Sequence, residues 1–147
     1  MKAIHPRRSA KRYGALCVLL SPLVLVSTAV AADRIASGKW ESAMTTDGTT
    51  RTVTYCISPE EAASINGDSK TGRDFAEKKA AKSGSSCAIN SYEIKGETVS
   101  YSLTCGSRSI TDATVFHGET SEGVKTITNE GKTVTTRLKS RRVGTCT

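Results

Sequence analysis

Four cysteines, Cys56, Cys87, Cys105 and Cys146, follow an N-terminal stretch with the layout of an export signal, and the fold must bring them together in pairs. Lys2, Arg7, Arg8, Lys11 and Arg12 form a basic start. An apolar run from Ala15 to Val26 follows, broken at Ser21 and Pro22, and Ala29-Val30-Ala31-Ala32 closes it with small residues. That order is the pattern of a secretory signal peptide, and the run is too short for a permanent membrane helix. The expectation is cleavage just after Ala31 or Ala32, with a signal peptide over 1–32 and one domain over 33–147. Cys17 lies inside the apolar run and would leave with it. A lipid-bearing cysteine ends such a run, whereas Val18-Leu19-Leu20 continue beyond this one, so the chain reads as unlipidated. An even set of cysteines in a small exported domain reads as two disulfides.

The chain holds 21 Lys+Arg and 14 Asp+Glu, a formal net charge of +7. Five of the basic residues, and none of the acidic ones, belong to the leader. The remaining 115 residues thus carry 16 basic against 14 acidic side chains, or +2. That is no electrostatic footprint for nucleic acid, and no nucleic-acid partner is expected. No second apolar segment is long enough to span a bilayer, so no transmembrane segment is expected after the leader. A domain of this size has a modest core, which two cross-links worth about 2–4 kcal/mol each would supplement.

Beyond the leader, short alternating runs rich in Thr and Ser are separated by Gly, Asn and Asp, the pattern of antiparallel strands. Gly38 to Thr45 reads as a strand carrying Trp40, and Asp47-Gly48 as a hairpin turn. Thr49 to Ile57 alternates Val53, Tyr55 and Ile57 with Thr52, Thr54 and Cys56. Ser58-Pro59-Glu60-Glu61 is a capped helix start, and Asn66-Gly67-Asp68 ends that helix. A second helix is expected over Asp74 to Lys82, thinly packed because Phe75 is its only large apolar residue. Cys87 to Ile94 and Thr98 to Cys105 form a hairpin around Gly96-Glu97, a type II′ turn, with Ile94 opposite Val99 and Tyr92 opposite Tyr101. Ser109 to His117, Gly123 to Thr128 and Lys132 to Val143 complete the run, the last two joined at Glu130-Gly131. The fold expected is all-β with a short helical insert: a curved antiparallel meander of about seven strands.

Strand parity also bears on the cysteines. Counted from the Gly96-Glu97 turn, Cys105 shares a face with Val99, Tyr101 and Leu103, while Cys87 points the other way. Cys146 has the parity of Val134 and Leu138, and Cys56 that of Thr52 and Thr54. Parity therefore pairs Cys56 with Cys87 and Cys105 with Cys146. A three-residue turn centred on Gly96 would instead set Cys87 opposite Cys105.

No constellation for catalysis emerges. His117 is the single histidine beyond the leader, and no nucleophile-elbow pattern accompanies it. The cysteines form no CxxC pair for a metal. Glu60 and Glu61 belong to a helix start, and Asp112, Glu119 and Glu122 fall near turns and read as solvated. No glycine-rich phosphate loop occurs. No catalytic residue, cofactor or metal is expected, and the domain is not expected to be an enzyme. Trp40 reads as a core or rim anchor. Arg137, Lys139 and Arg141 alternate along the last strand, with Arg142 beside them. They are candidates to bind an anionic polymer; the competing reading is that they keep an exposed strand from edge-to-edge pairing.

Gly38-Lys39-Trp40-Glu41 soon after the leader resembles the G-x-W-E opening of a family of bacterial exported proteins. Val53-Thr54-Tyr55-Cys56 before an acidic helix start, Cys87, Gly96 and Cys105 follow in that family's order. Arg141-Arg142-Val143-Gly144-Thr145-Cys146 closes the chain with its R-R-x-G-x-C ending. The sequence resembles the domain-of-unknown-function family 3617 over nearly all of the chain beyond the leader. The resemblance implies an exported bacterial domain and assigns no functional residue. The function expected is that of a periplasmic or secreted, non-catalytic module of the envelope that binds an unknown ligand or protein. The alternative is an inhibitor of a secreted hydrolase such as a lysozyme or protease.

Overall fold

The computed structural model describes residues 33–82 and 86–146, so the expected signal peptide, with Cys17, lies outside the described residues. Strands β1 (Gly38–Thr46) and β2 (Thr49–Ile57) lead into helices α1 (Pro59–Asn66) and α2 (Ser69–Lys82). Strands β3 (Cys87–Lys95), β4 (Thr98–Cys105), β5 (Arg108–Phe116), β6 (Thr120–Asn129) and β7 (Lys132–Gly144) follow. All seven strands join one antiparallel sheet in the order β2-β1-β7-β6-β5-β4-β3. The first strand thus lies beside the last, and the helices link the two edge strands.

The turns follow their residues. Asp47 and Gly48 both have positive φ, as a type I′ hairpin requires, and Glu130-Gly131 repeats the arrangement. Gly96 alone has positive φ in its turn, in keeping with type II′. The cross-strand pairs Ile94–Val99 and Tyr92–Tyr101 form as the turn dictates.

The cysteines pair otherwise than parity predicts: Cys56 bonds Cys146 and Cys87 bonds Cys105. The two-residue turn is correct, but the ladder slips one residue between Ile89 and Ser91, which leaves Asn90 as a bulge. That slip returns Cys87 to the face of Cys105, with the Cα atoms 4.1 Å apart. A second slip lies between Lys39 and Trp40: Trp40 faces Arg142 while Lys39 faces Gly144, so Val143 is extra. It turns the end of β7 toward the face of Lys39, whose partner on β2 is Cys56. Cys56 and Cys146 then meet with their Cα atoms 5.8 Å apart.

The core sits at one end of the inner sheet face. Ile35, Trp40, Ile57 and Ala62 are buried there, with Ile65 and Phe116 packed against them. Trp40 is 0% exposed, and its indole N–H donates to the Ala36 carbonyl at 3.0 Å. Arg34 fastens this end. Its Nη1 donates to the carbonyls of Ile65, Asn66 and Gly67 at 3.0, 2.8 and 3.1 Å, and its Nε to that of Gly96. A guanidinium at the C-terminus of α1 satisfies carbonyls that lack helical partners and complements the helix dipole.

α1 begins as the sequence predicts, the N–H of Glu61 donating to the Ser58 hydroxyl. α2 begins earlier than predicted, at Ser69 rather than Asp74. Asp68 caps it by accepting from the N–H of Thr71 at 2.7 Å, and that bond holds its carboxyl below the usual range. α2 also covers the open edge of β3. Ile94 N–H donates to Ser69 Oγ at 2.8 Å, and Arg73 Nη2 donates to the Ile89 carbonyl at 2.9 Å. Backbone groups that would invite another strand are thereby occupied.

Candidate functional site

Alternation gives the two sheet faces different characters. The face opposite the helices carries most of the Thr and Ser side chains of β4 to β7. The inner face carries Ile89, Val99, Leu103 and Ile110, which antiparallel sheets turn toward a core. Between this inner face and the two helices lies a cavity of about 390 Å³. Phe75 and Ala76 of α2 form its roof, and Ile89, Val99, Leu103 and Phe116 form its apolar walls.

Polar groups converge at one place on its floor. Tyr92, Tyr101, Asp112 and Lys125 are successive register partners across β3, β4, β5 and β6. The two tyrosine rings stack with centroids 6.3 Å apart. Asp112 is 9% exposed; its Oδ1 accepts from Thr114 Oγ1 at 2.8 Å, and its Oδ2 lies 3.6 Å from Lys125 Nζ. Burial pushes the Tyr101 phenol up, and the Asp112 charge and a hydrogen bond to it add to that. Burial likewise raises Tyr92. At the helical side Lys79 pairs with Glu61 at 2.8 Å and lies over the Phe75 ring, 5.7 Å from its centroid.

Asp112 corrects the sequence expectation of a solvated, turn-proximal carboxylate. It stands mid-strand on β5, on the face of Ile110 and Phe116. Its even spacing from those two residues is the signal that marks it as inward-facing. The other acidic residues are engaged near the surface: Glu119 meets Arg142 at 3.2 Å and Glu122 meets Lys139 at 3.2 Å. His117 Nδ1 lies 3.0 Å from Glu97 Oε2, both side chains being exposed.

Arg137, Lys139 and Arg141 share the exposed face of β7. That strand is third in the sheet, between β1 and β6, so it cannot serve as a charged edge. Arg141 Nη2 pairs with Glu41 at 2.9 Å and Lys139 with Glu122, while Arg137 stands between Thr45 and Val124 in the ladder. The acidic partners on β1 and β6 counterbalance the stripe.

Among the described residues no helix is long and apolar enough to cross a membrane, and no group of His, Cys, Asp and Glu could hold a metal.

The opening and closing motifs meet in one seam: Trp40 faces Arg142, Glu41 faces Arg141, and Arg142 Nε donates to the Ser37 carbonyl at 2.8 Å. The family described as "Protein of unknown function (DUF3617)" matches residues 35–146, which includes both motifs. The chain belongs to DUF3617. Its G-x-W-E and R-R-x-G-x-C motifs are thus accounted for by the β1–β7 seam and the Cys56–Cys146 bridge. The cavity lies apart from that seam, on the β3–β5 side of this DUF3617 sheet. No curated protein and no solved structure matches the chain.

Proposed function

We propose that this protein is an exported, non-catalytic binding module of the envelope, and that it holds a small apolar ligand between its helices and the inner sheet face. One observation carries the reading: the 390 Å³ cavity with apolar walls and a few convergent polar groups, the usual composition of a ligand pocket. The two disulfides support an oxidising, periplasmic or secreted location. Inhibition of a secreted hydrolase gains no such support, because the turns at Asp47-Gly48, Gly96-Glu97 and Glu130-Gly131 are two-residue connections. The acidic partners of Lys139 and Arg141 likewise weaken the anionic-polymer reading, since Glu122 and Glu41 offset the positive charge of the stripe.

The test is a fluorescence titration of the oxidised protein with the neutral fluorophore prodan. Saturable binding is expected at one site, and Ala76→Phe, which fills the roof of the cavity, should abolish it while leaving the fold intact. Equal binding by wild type and variant would refute the cavity as the site.

A further inference from the structure

The ligand's head group is written in the floor of the cavity, and this step rests on the cavity reading above. We infer that the cavity selects a small apolar molecule bearing a protonated amine, held at the Asp112 carboxylate beside the Tyr92 and Tyr101 rings.

Three charged side chains line the cavity: Glu61, Lys79 and Asp112. Glu61 and Lys79 satisfy each other at 2.8 Å on the helical side. Asp112 is the remaining carboxyl group in the wall, and it is nine-tenths buried. A carboxylate has about four acceptor directions. Thr114 Oγ1 takes one at 2.8 Å, and Tyr101 is the register partner of Asp112 on β4. Lys125 approaches from outside the cavity lining to 3.6 Å, beyond hydrogen-bond distance, and its side chain is 31% exposed. Capacity therefore remains on the cavity side of the carboxylate.

Chemistry then separates the possible heads. An anionic head would meet a like charge in a weakly solvated site, where both repulsion and desolvation oppose it. A neutral alcohol gains one hydrogen bond. An ammonium gains a charge-assisted hydrogen bond and the attraction of electron-rich rings nearby. The group facing Asp112 from β6 is likewise an alkylammonium, Lys125, at 3.6 Å.

Isothermal titration calorimetry on the full chain with its disulfides formed would compare three ligands of one shape: phenethylamine, phenethyl alcohol and hydrocinnamate. The amine is expected to bind about tenfold more tightly than the alcohol, and hydrocinnamate not measurably. In Asp112→Asn the amine should lose that advantage. In Lys125→Met, where a competing cation is gone, it should bind several-fold more tightly than to wild type. If prodan binds but the three heads do not differ, or hydrocinnamate binds best, the amine inference fails and the cavity reading stands. If prodan and all three ligands fail to bind, both fail.

Discussion

Gly72 shows how a single missing atom shapes the site. It is buried in α2, and a Cβ built there would lie 2.8 Å from both Cζ and the hydroxyl oxygen of Tyr92. At an open helical position Gly→Ala gains about 1 kcal/mol. Here the collision opposes that gain, and overpacking of this kind costs about 1–3 kcal/mol. Gly72→Ala should therefore lower stability by about 1 kcal/mol, read as a lower urea midpoint at unchanged slope. In a Tyr92→Leu background the same substitution should become neutral or stabilising. A gain in the wild-type background would mean that Tyr92 has room to move aside. The same glycine explains why sequence reading starts α2 too late: Gly72 looks like a breaker, and the partner that requires it lies on β3.

The β3–β4 hairpin carries the comparable lesson for an element. Deleting Asn90 should remove the bulge without changing which residues face inward, because Ile89 and Tyr92 already lie on one side of it. The expected result is an intact Cys87–Cys105 bridge in a peptide map and a stability change of less than about 1 kcal/mol. A Cys56–Cys87 peptide in the deletion variant would contradict this. The bulge was legible in principle, since Asn90-Ser91 sets two polar residues in a row between Ile89 and Tyr92. Strand positions, turn types, the α1 cap and the burial of Trp40 were readable because each follows from local residue chemistry. The disulfide partners were not, because one-residue slips at Asn90 and Val143 each reverse parity. The cavity was hidden for another reason: its lining comes from α1, α2, β3, β4 and β5, and no local spacing joins Phe75 to Asp112.

For the whole molecule, the two bridges constrain the unfolded chain unequally. Cys56–Cys146 spans 90 residues and Cys87–Cys105 spans 18. Loop-closure entropy assigns about 4–5 kcal/mol to the longer and about 3 kcal/mol to the shorter. Replacing Cys56 and Cys146 together by Ser should therefore lower the thermal midpoint more than replacing Cys87 and Cys105. Calorimetry of the two double variants measures the difference, and the reverse order would show that native-state strain or residual unfolded structure dominates. The placement of β1 against β7 also sets a schedule for folding. Each hairpin from β3 to β7 can form from neighbours in sequence, but β1 and β2 stay apart from that sheet until β7 arrives. A two-stranded hairpin alone is marginal in water, so a nascent chain that ends before Lys132 leaves its first strands waiting. The earliest strand to be synthesised is therefore among the last to find its place, and the domain cannot be completed one segment at a time from its beginning.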